Sequence, residues 1–360
     1  MSSVTARLCV LATMLFFCAA VRAEPYFAVQ TGLKCVTCHV NNTGGGMRNT
    51  FGDVWGQTAL PAQRVDTGDP WTGEINKFIA LGGNLRATGT ATDVPHQPST
   101  SSFDTEELRV YLEIRAIPDR LSIYVDQRLA PGGSANQEAY GRLWFNDSRF
   151  YVKAGQMFLP YGIRLQDDTA FIRQVSGINF ATPDRGVETG LELANWSAQF
   201  AVTNGTAGGS EIDNGKQYSV RVEHIQSVWR AGASFNYNDA DAGTRQMQNL
   251  FAGVRTGPIA WLAEADYILD DSFAPRRKQA VGLIEANWGI RRGNNLKVTA
   301  EYFDPDREIS EDQQNRYSVV YEYTPLQFVQ FRLGARYYDG IPQNDLQNRR
   351  LIFAQLNGYF

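Results

Sequence analysis

The sequence predicts an all-β chain, a transmembrane antiparallel β-barrel of about sixteen strands behind a short, helical N-terminal segment. Three observations predict it. Segments of about ten residues alternate apolar and polar side chains. The connections between them alternate short and long. The final segment alternates in the same way and ends in the aromatic Phe360.

The alternation begins near Lys77. In Leu108, Val110, Leu112, Ile114 and Ala116 every second residue is apolar, with Arg109, Tyr111, Glu113 and Arg115 between them. Leu296, Val298, Ala300 and Tyr302 alternate with Lys297, Thr299 and Glu301. Phe331, Leu333, Ala335 and Tyr337 do so with Arg332 and Arg336, and Trp261, Ala263, Ala265 and Tyr267 with Glu264 and Asp266. A period of two puts the sets on opposite faces. The charges are too numerous for a buried soluble core, so the apolar set is expected to face lipid and the charged set a wet or plugged lumen. Short turns are expected at Pro118–Arg120, Asn146–Ser148, Asn195, Gly257-Pro258 and Thr324–Leu326. Long loops are expected at Thr92–Asp104, Pro131–Gln137, Pro160–Arg185, Asp239–Arg245, Asp270–Arg277, Asp304–Gln314 and Asp339–Arg349. Both mature termini then fall on the periplasmic side. In the last segment Ile352, Ala354, Leu356, Gly358 and Phe360 share a face.

The first 23 residues carry the marks of a secretion signal. Arg7 supplies the positive end, Leu8 to Ala20 is an apolar run too short to span a bilayer, and Val21-Arg22-Ala23 is a small-x-small cleavage site. The chain thus divides into a signal peptide (1–23), a segment over 24–72 and a barrel over 73–360. The formal net charge of −4 becomes −6 once Arg7 and Arg22 leave. That mild acidity does not suggest a nucleic-acid partner. The abundance of aromatics (20 Phe, 16 Tyr, 7 Trp) suits the girdles of a membrane barrel.

Of four cysteines, Cys9 and Cys18 leave with the signal. The remaining Cys35-Val36-Thr37-Cys38-His39 is the C-x-x-C-H pattern of c-type haem attachment. Two thiols at that spacing add to the two vinyl groups on one porphyrin edge, and the next imidazole lies under the ring as the proximal iron ligand. A disulfide or a thioredoxin-like redox pair is the alternative, but no βαβ context surrounds it. Gly44-Gly45-Gly46 then either passes close to a flat cofactor with positive φ or forms a flexible loop. Met47, Phe51 and Trp55 share a helical face, and Pro61 would end that helix. Candidate sixth ligands are Met47 and, more distantly, Met157; an open iron site is the other possibility. His96, on the first external loop, and His224, outward near the periplasmic rim, are poorly placed for a haem tethered from the periplasmic end. Forty-eight residues are too few for an independent core around a haem, so the segment must borrow walls from the barrel.

Two resemblances follow. Gly155-Gln156-Met157-Phe158-Leu159-Pro160-Tyr161-Gly162 resembles a stretch in phosphate-selective porins. The order of a signal, Pro25-Tyr26-Phe27, Gly32, Cys35-x-x-Cys38-His39 and Phe51-Gly52, then a porin-like remainder, resembles the fused monohaem cytochrome–porins of the bacterial outer membrane, including those of iron-oxidising bacteria. The triple glycine departs from that family, where a proline-containing segment is expected. The resemblance implies one covalent haem c on Cys35 and Cys38, ligated by His39 and held in or at the barrel. It also implies electron transfer across the outer membrane, with outer-membrane lipid, soluble periplasmic cytochromes or other carriers, and an external electron donor or acceptor as partners.

Three functions are compatible with these features. An electron conduit is the main expectation, because a haem within the lumen shortens the path across a hydrocarbon core about 30 Å thick. The alternative is a selective porin that the haem segment plugs, gates or senses, with Arg109, Arg115, Arg332 and Arg336 selecting anions and Asp167, Asp168, Arg164 and Arg173 at the pore mouth. A substrate-transforming haem enzyme lacks a recognisable distal acid or base. The acidic external residues Asp304, Asp306, Glu308, Glu311 and Asp312 either attract metal ions or are simply solvated.

Overall fold

The computed structural model describes residues 24–66, 68–178 and 182–360. The signal-peptide expectation, including Cys9 and Cys18, lies outside the described residues. Among the described residues three short helices come first, α1 (Pro25–Thr31), α2 (Cys35–Cys38) and α3 (Thr50–Thr58). Then come β1 (Glu74–Asn76), β2 (Ile79–Asp93), β3 (Thr100–Ile117), β4 (Leu121–Ala130), β5 (Ala135–Phe145) and β6 (Phe150–Met157). A fourth helix, α4 (Phe171–Gln174), interrupts the long connection to β7 (Asp184–Glu192), β8 (Trp196–Thr203), β9 (Gln217–Ile225), β10 (Trp229–Ala240) and β11 (Gly243–Thr256). The chain finishes with β12 (Ile259–Asp270), β13 (Arg277–Arg291), β14 (Asn294–Asp304), β15 (Gln314–Leu326), β16 (Val329–Asp339) and β17 (Arg350–Tyr359).

Strands β2 to β17 pair antiparallel in sequence order, and β17 returns to β2, closing a sixteen-stranded barrel. Closure removes every sheet edge, the condition for strands to cross hydrocarbon. No described helix is long and apolar enough to cross a membrane. The register fixes which face is apolar. Leu250, Val298, Leu333 and Ile352 point outward and are exposed, while Glu264, Asp266, Lys297 and Arg332 point inward and are buried. Trp196, Trp229 and Trp288 ring the outer face beside the short turns, and Tyr302, Tyr317 and Tyr337 ring it beside the long loops. Two aromatic belts bracketing an apolar band are the surface of a lipid-facing barrel.

The short turns hold, but not every opposite connection is long: β4–β5 spans only residues 131–134 and β10–β11 only two residues. Strands β10 and β11 continue past the expected Asp239–Arg245 loop and meet in a turn at Asp241-Ala242. The first long loop shrinks to residues 94–99 because β2 and β3 pair out to Thr92 and Thr100. The Thr324–Leu326 turn moves to Gln327-Phe328, since Leu326 still pairs with Val329. In the first two cases polar residues occupy strand ends that project beyond the apolar band, where composition resembles a loop.

Two inserts fill the lumen. The N-terminal segment enters from the short-turn end, where Tyr26 Oη donates to Glu322 (3.0 Å), and reaches toward the long-loop end, where Asn41 Nδ2 donates to Glu138 (2.9 Å). The β6–β7 connection folds inward as well. Its Ile163, Leu165, Phe171 and Ile172 pack with Tyr26 and Val29 of α1 against Phe251, Leu262, Val281 and Leu283 of the wall. The hydrophobic core of this protein therefore sits inside the barrel, where the two inserts meet.

Candidate haem site

The N-terminal helix α1 ends at Gly32, and a short extended stretch leads into α2. That single helical turn, closed by the His39 N–H on the Cys35 carbonyl (3.0 Å), brings Cys35, Cys38 and His39 together. A tight hairpin follows. Val40 N donates to Met47 O and Asn49 N to Cys38 O, both at 3.0 Å, so the chain doubles back behind the cysteines. Gly44 lies in this hairpin with φ near +88°, and a Cβ there would stand 3.5 Å from Cys35 Sγ. Asn49 then caps α3 by accepting from Gly52 N (3.0 Å).

This cap corrects the expected apolar stripe. Met47 precedes the helix, and Phe51 is exposed. The helix stops at Thr58, short of Pro61. Gly52 is fixed by close approach, because a Cβ would fall 2.1 Å from the Cys38 carbonyl oxygen. Gly52→Ala is expected to push α3 off the cysteine turn, at a cost of about 1–3 kcal/mol or more. The yield of covalent haem, set against that of the intact barrel on a gel, checks it.

Cys35, Cys38 and His39 line one cavity of about 890 Å³, counting the part open to solvent. Its apolar walls come from both inserts and the barrel, through Phe27, Trp55, Leu60, Ile163, Phe251 and Leu262. The expected borrowing of walls is thus realised. Five cations also reach it, Lys34, Arg48, Arg164, Arg221 and Arg230. Arg230 Nε donates to Glu223 (2.5 Å) and Arg221 to the same carboxylate (3.0 Å), while Arg164 donates to Gly44 O (2.7 Å). Both cysteines are free thiols, and burial pushes the Cys38 thiol up to about 11. His39 is buried, and its Nδ1 has no hydrogen-bond partner. Burial, joined by the positive fields of Arg48 and Arg164, pushes its pKa down to about 3. The imidazole is therefore neutral, the form that binds a metal.

These residues fit a c-type haem. The pair of thiols and the imidazole line the cavity, and the arginines could meet the propionates. Sequence reasoning did not find Arg48, Arg221 or Arg230. Arg221 and Arg230 sit on adjacent strands, and nothing local marks them as cavity residues, because barrel closure alone brings them to the cysteines.

The structure places the other candidates elsewhere. Met47 packs with Val40, Tyr124, Tyr140 and Met157 against the barrel wall, so neither methionine lines the cavity. His96 is exposed and 3.2 Å from Asp345. His224 lies on the outer face between Trp196 and Trp229, as its strand phase predicts. Among the described residues lining the cavity, His39 is the one imidazole and no thioether is present.

The lumen charges are likewise redistributed. Arg109 pairs with Asp126 (2.9 Å), Arg115 with Glu113 (2.9 Å), Arg332 with Glu322 (2.9 Å) and Arg336 with Asp167 (2.8 Å). Expected as anion selectors, they are neutralised by carboxylates. Arg173 is buried on Glu264 and Arg164 faces the haem cavity, so neither stands at a pore mouth. Asp167 carries the charge of both Arg316 and Arg336, and Asp168 lies 3.9 Å from Arg86.

Asp53 is the one acid of α3. Burial raises its carboxyl to about 6, against the opposing pull of Arg48. The folded segment holds this proton more tightly than the unfolded chain does. Its stability is therefore highest below about pH 4 and declines as pH rises through about 6, by up to the order of 3 kcal/mol. Asp53→Asn is expected to flatten that dependence in thermal melts of the haem segment taken between about pH 4 and pH 7.

No protein-family model and no curated protein matches the sequence. Solved structures do. An anion-selective porin from Comamonas acidovorans aligns with a TM-score of 0.62 at 9% identity, over 78% of this chain and 99% of that one. OmpT of Vibrio cholerae aligns with a TM-score of 0.59 at 10% identity, over 80% and 99% of the two chains. OprB of Pseudomonas putida aligns with a TM-score of 0.59 at 8% identity, over 79% and 94%. At such identities the likeness is one of architecture, and this chain has the closed sixteen-stranded barrel of the outer-membrane porins.

Proposed function

We propose that this protein is an outer-membrane electron conduit, in which one c-type haem is bound covalently by Cys35 and Cys38 and ligated by His39 within the barrel. One observation carries the proposal: the three residues of the attachment motif line a single walled cavity inside a closed barrel. Bound there, the haem would supply one-electron chemistry, with a potential tuned by burial and by the neighbouring charges. The chain's own residues do the rest. Cys35 and Cys38 anchor the group, His39 presents a neutral nitrogen to the iron, and the arginines balance the propionates. Phe27, Phe251 and Leu262 keep water from the apolar face. The short-turn end, where the haem segment enters, would face the periplasm, and the long loops the exterior.

A second reading is a porin whose N-terminal segment plugs or gates it. The architecture favours it, because the solved structures of similar fold are porins. The paired lumen arginines weaken its anion-selective form. Sealed liposomes enclosing an electron-accepting dye, with an impermeant reductant outside, separate the two. Reduction by the wild type and none by Cys35→Ala/Cys38→Ala supports the conduit. Equal reduction by both, or free ion flow with no reduction, supports the plugged porin.

A further inference from the structure

A second groove, of about 1,000 Å³, opens at the short-turn rim directly behind the haem cavity. The two share Phe27, Trp55 and Leu60, so these side chains are the partition between them. Phe27 and Trp55 meet edge to face, 5.3 Å between ring centres. The groove mouth is cationic. Arg255, Arg291 and Arg292 line it and are exposed. Arg255 and Arg292 donate to main-chain carbonyls, of Gln30 (2.7 Å) and Thr58 (2.5 Å), rather than to carboxylates. The acid within the groove, Glu322, is already neutralised by Arg332 (2.9 Å) and Lys297 (3.5 Å). The exposed Asp66 and Asp69 follow Val65, whose N–H is tied to Gln327 at the β15–β16 turn, outside the groove lining. Positive charge is thus left uncompensated at a place on the rim where one layer of side chains separates the groove from the cavity lined by Cys35, Cys38 and His39.

We infer that this groove is the docking surface for a soluble electron-carrier protein that presents an acidic face around its redox centre. The inference rests on the conduit reading and names the partner's charge and its seat. Complementary fields of this kind speed encounter roughly tenfold to a thousandfold at low salt and lose their effect as salt rises. An apolar partition at the centre of a charged rim also suits a short-lived complex, since orientation comes from the rim and little area must be buried.

The test uses the detergent-purified holoprotein, with covalent haem measured first. Reduced monohaem cytochromes of acidic and of basic surface are mixed with it in a stopped-flow instrument. The acidic cytochrome is expected to transfer electrons at least about tenfold faster at low ionic strength, with the advantage vanishing at high salt. Arg255→Glu/Arg291→Glu/Arg292→Glu is expected to reverse the preference, and the milder Arg→Gln triple to erase it, with both barrels still heat-modifiable on a gel. Equal rates for the two cytochromes, or a preference unmoved by either triple, overturns the inference. So does a charge preference seen with a small anionic reductant such as ascorbate and with neither cytochrome, which would mark an anion vestibule instead. A wild-type protein without covalent haem overturns the conduit reading itself, and the haem assay tells that failure apart.

Discussion

Replacing Cys35 and Cys38 together by alanine is expected to abolish haem staining on a denaturing gel and leave the barrel intact. The first half follows from chemistry, because thioether bonds survive denaturation and an axially held haem does not. The second follows from packing. Neither thiol holds the fold. Cys35 Sγ has only a 4.0 Å approach from Arg230, and the segment is anchored elsewhere, through Tyr26 on Glu322 and Asn41 on Glu138. Truncating two half-buried thiols should therefore cost little beyond the lost cofactor. His39→Ala should keep the covalent stain and shift the haem's absorption spectrum, because it removes the proximal ligand and spares the thiols. A wild type with no covalent stain would remove the basis of the conduit proposal.

Arg173→Ala is expected to release the β6–β7 insert from the lumen. Arg173 is almost fully buried. It donates to Glu264 Oε1 (2.6 Å) and to Ile178 O (3.0 Å), so it ties the insert to strand β12 and to itself. Glu264 also accepts from Ile163 N (2.5 Å). Without the guanidinium a buried carboxylate is left uncompensated, at a cost of about 3–5 kcal/mol. That cost shifts the docked equilibrium roughly a hundredfold or more toward the released insert. Planar-bilayer conductance should rise from a low wild-type level, and protease should cut between β6 and β7. Arg173→Met/Glu264→Gln should recover much of the block, because it removes the charge together with its partner. Unchanged conductance in Arg173→Ala would show that the insert is held by its apolar contacts alone.

How far the sequence foretold this structure depends on whether the signal was local. The strands were legible because a period of two is written residue by residue, as in Leu108 to Ala116, and because lipid on one side and charge on the other keep it regular. Cys35, Cys38 and His39 were legible because attachment chemistry fixes their spacing. The Asp239–Arg245 region misled because strand ends beyond the membrane band need no apolar side chains. Met47 misled because its position in the chain says nothing about which way the hairpin turns it. It turns toward Gly82 and Tyr124, away from the thiols. The cavity arginines were illegible for a deeper reason. Arg48, Arg164, Arg221 and Arg230 come from the hairpin, the lumen insert, β9 and β10, and only ring closure makes them neighbours.

The seam between β17 and β2 carries one more consequence. The strand that closes the ring also touches the N-terminal insert. Tyr359 Oη donates to Gly56 O (3.1 Å), and the Arg48 guanidinium lies over the Tyr359 ring at 4.4 Å. Zipping the seam and seating the insert are therefore one cooperative event. A barrel that closed before its insert arrived would lack the contacts that favour the final register. The closed seam therefore favours the seated insert, and the seated insert favours the closed seam.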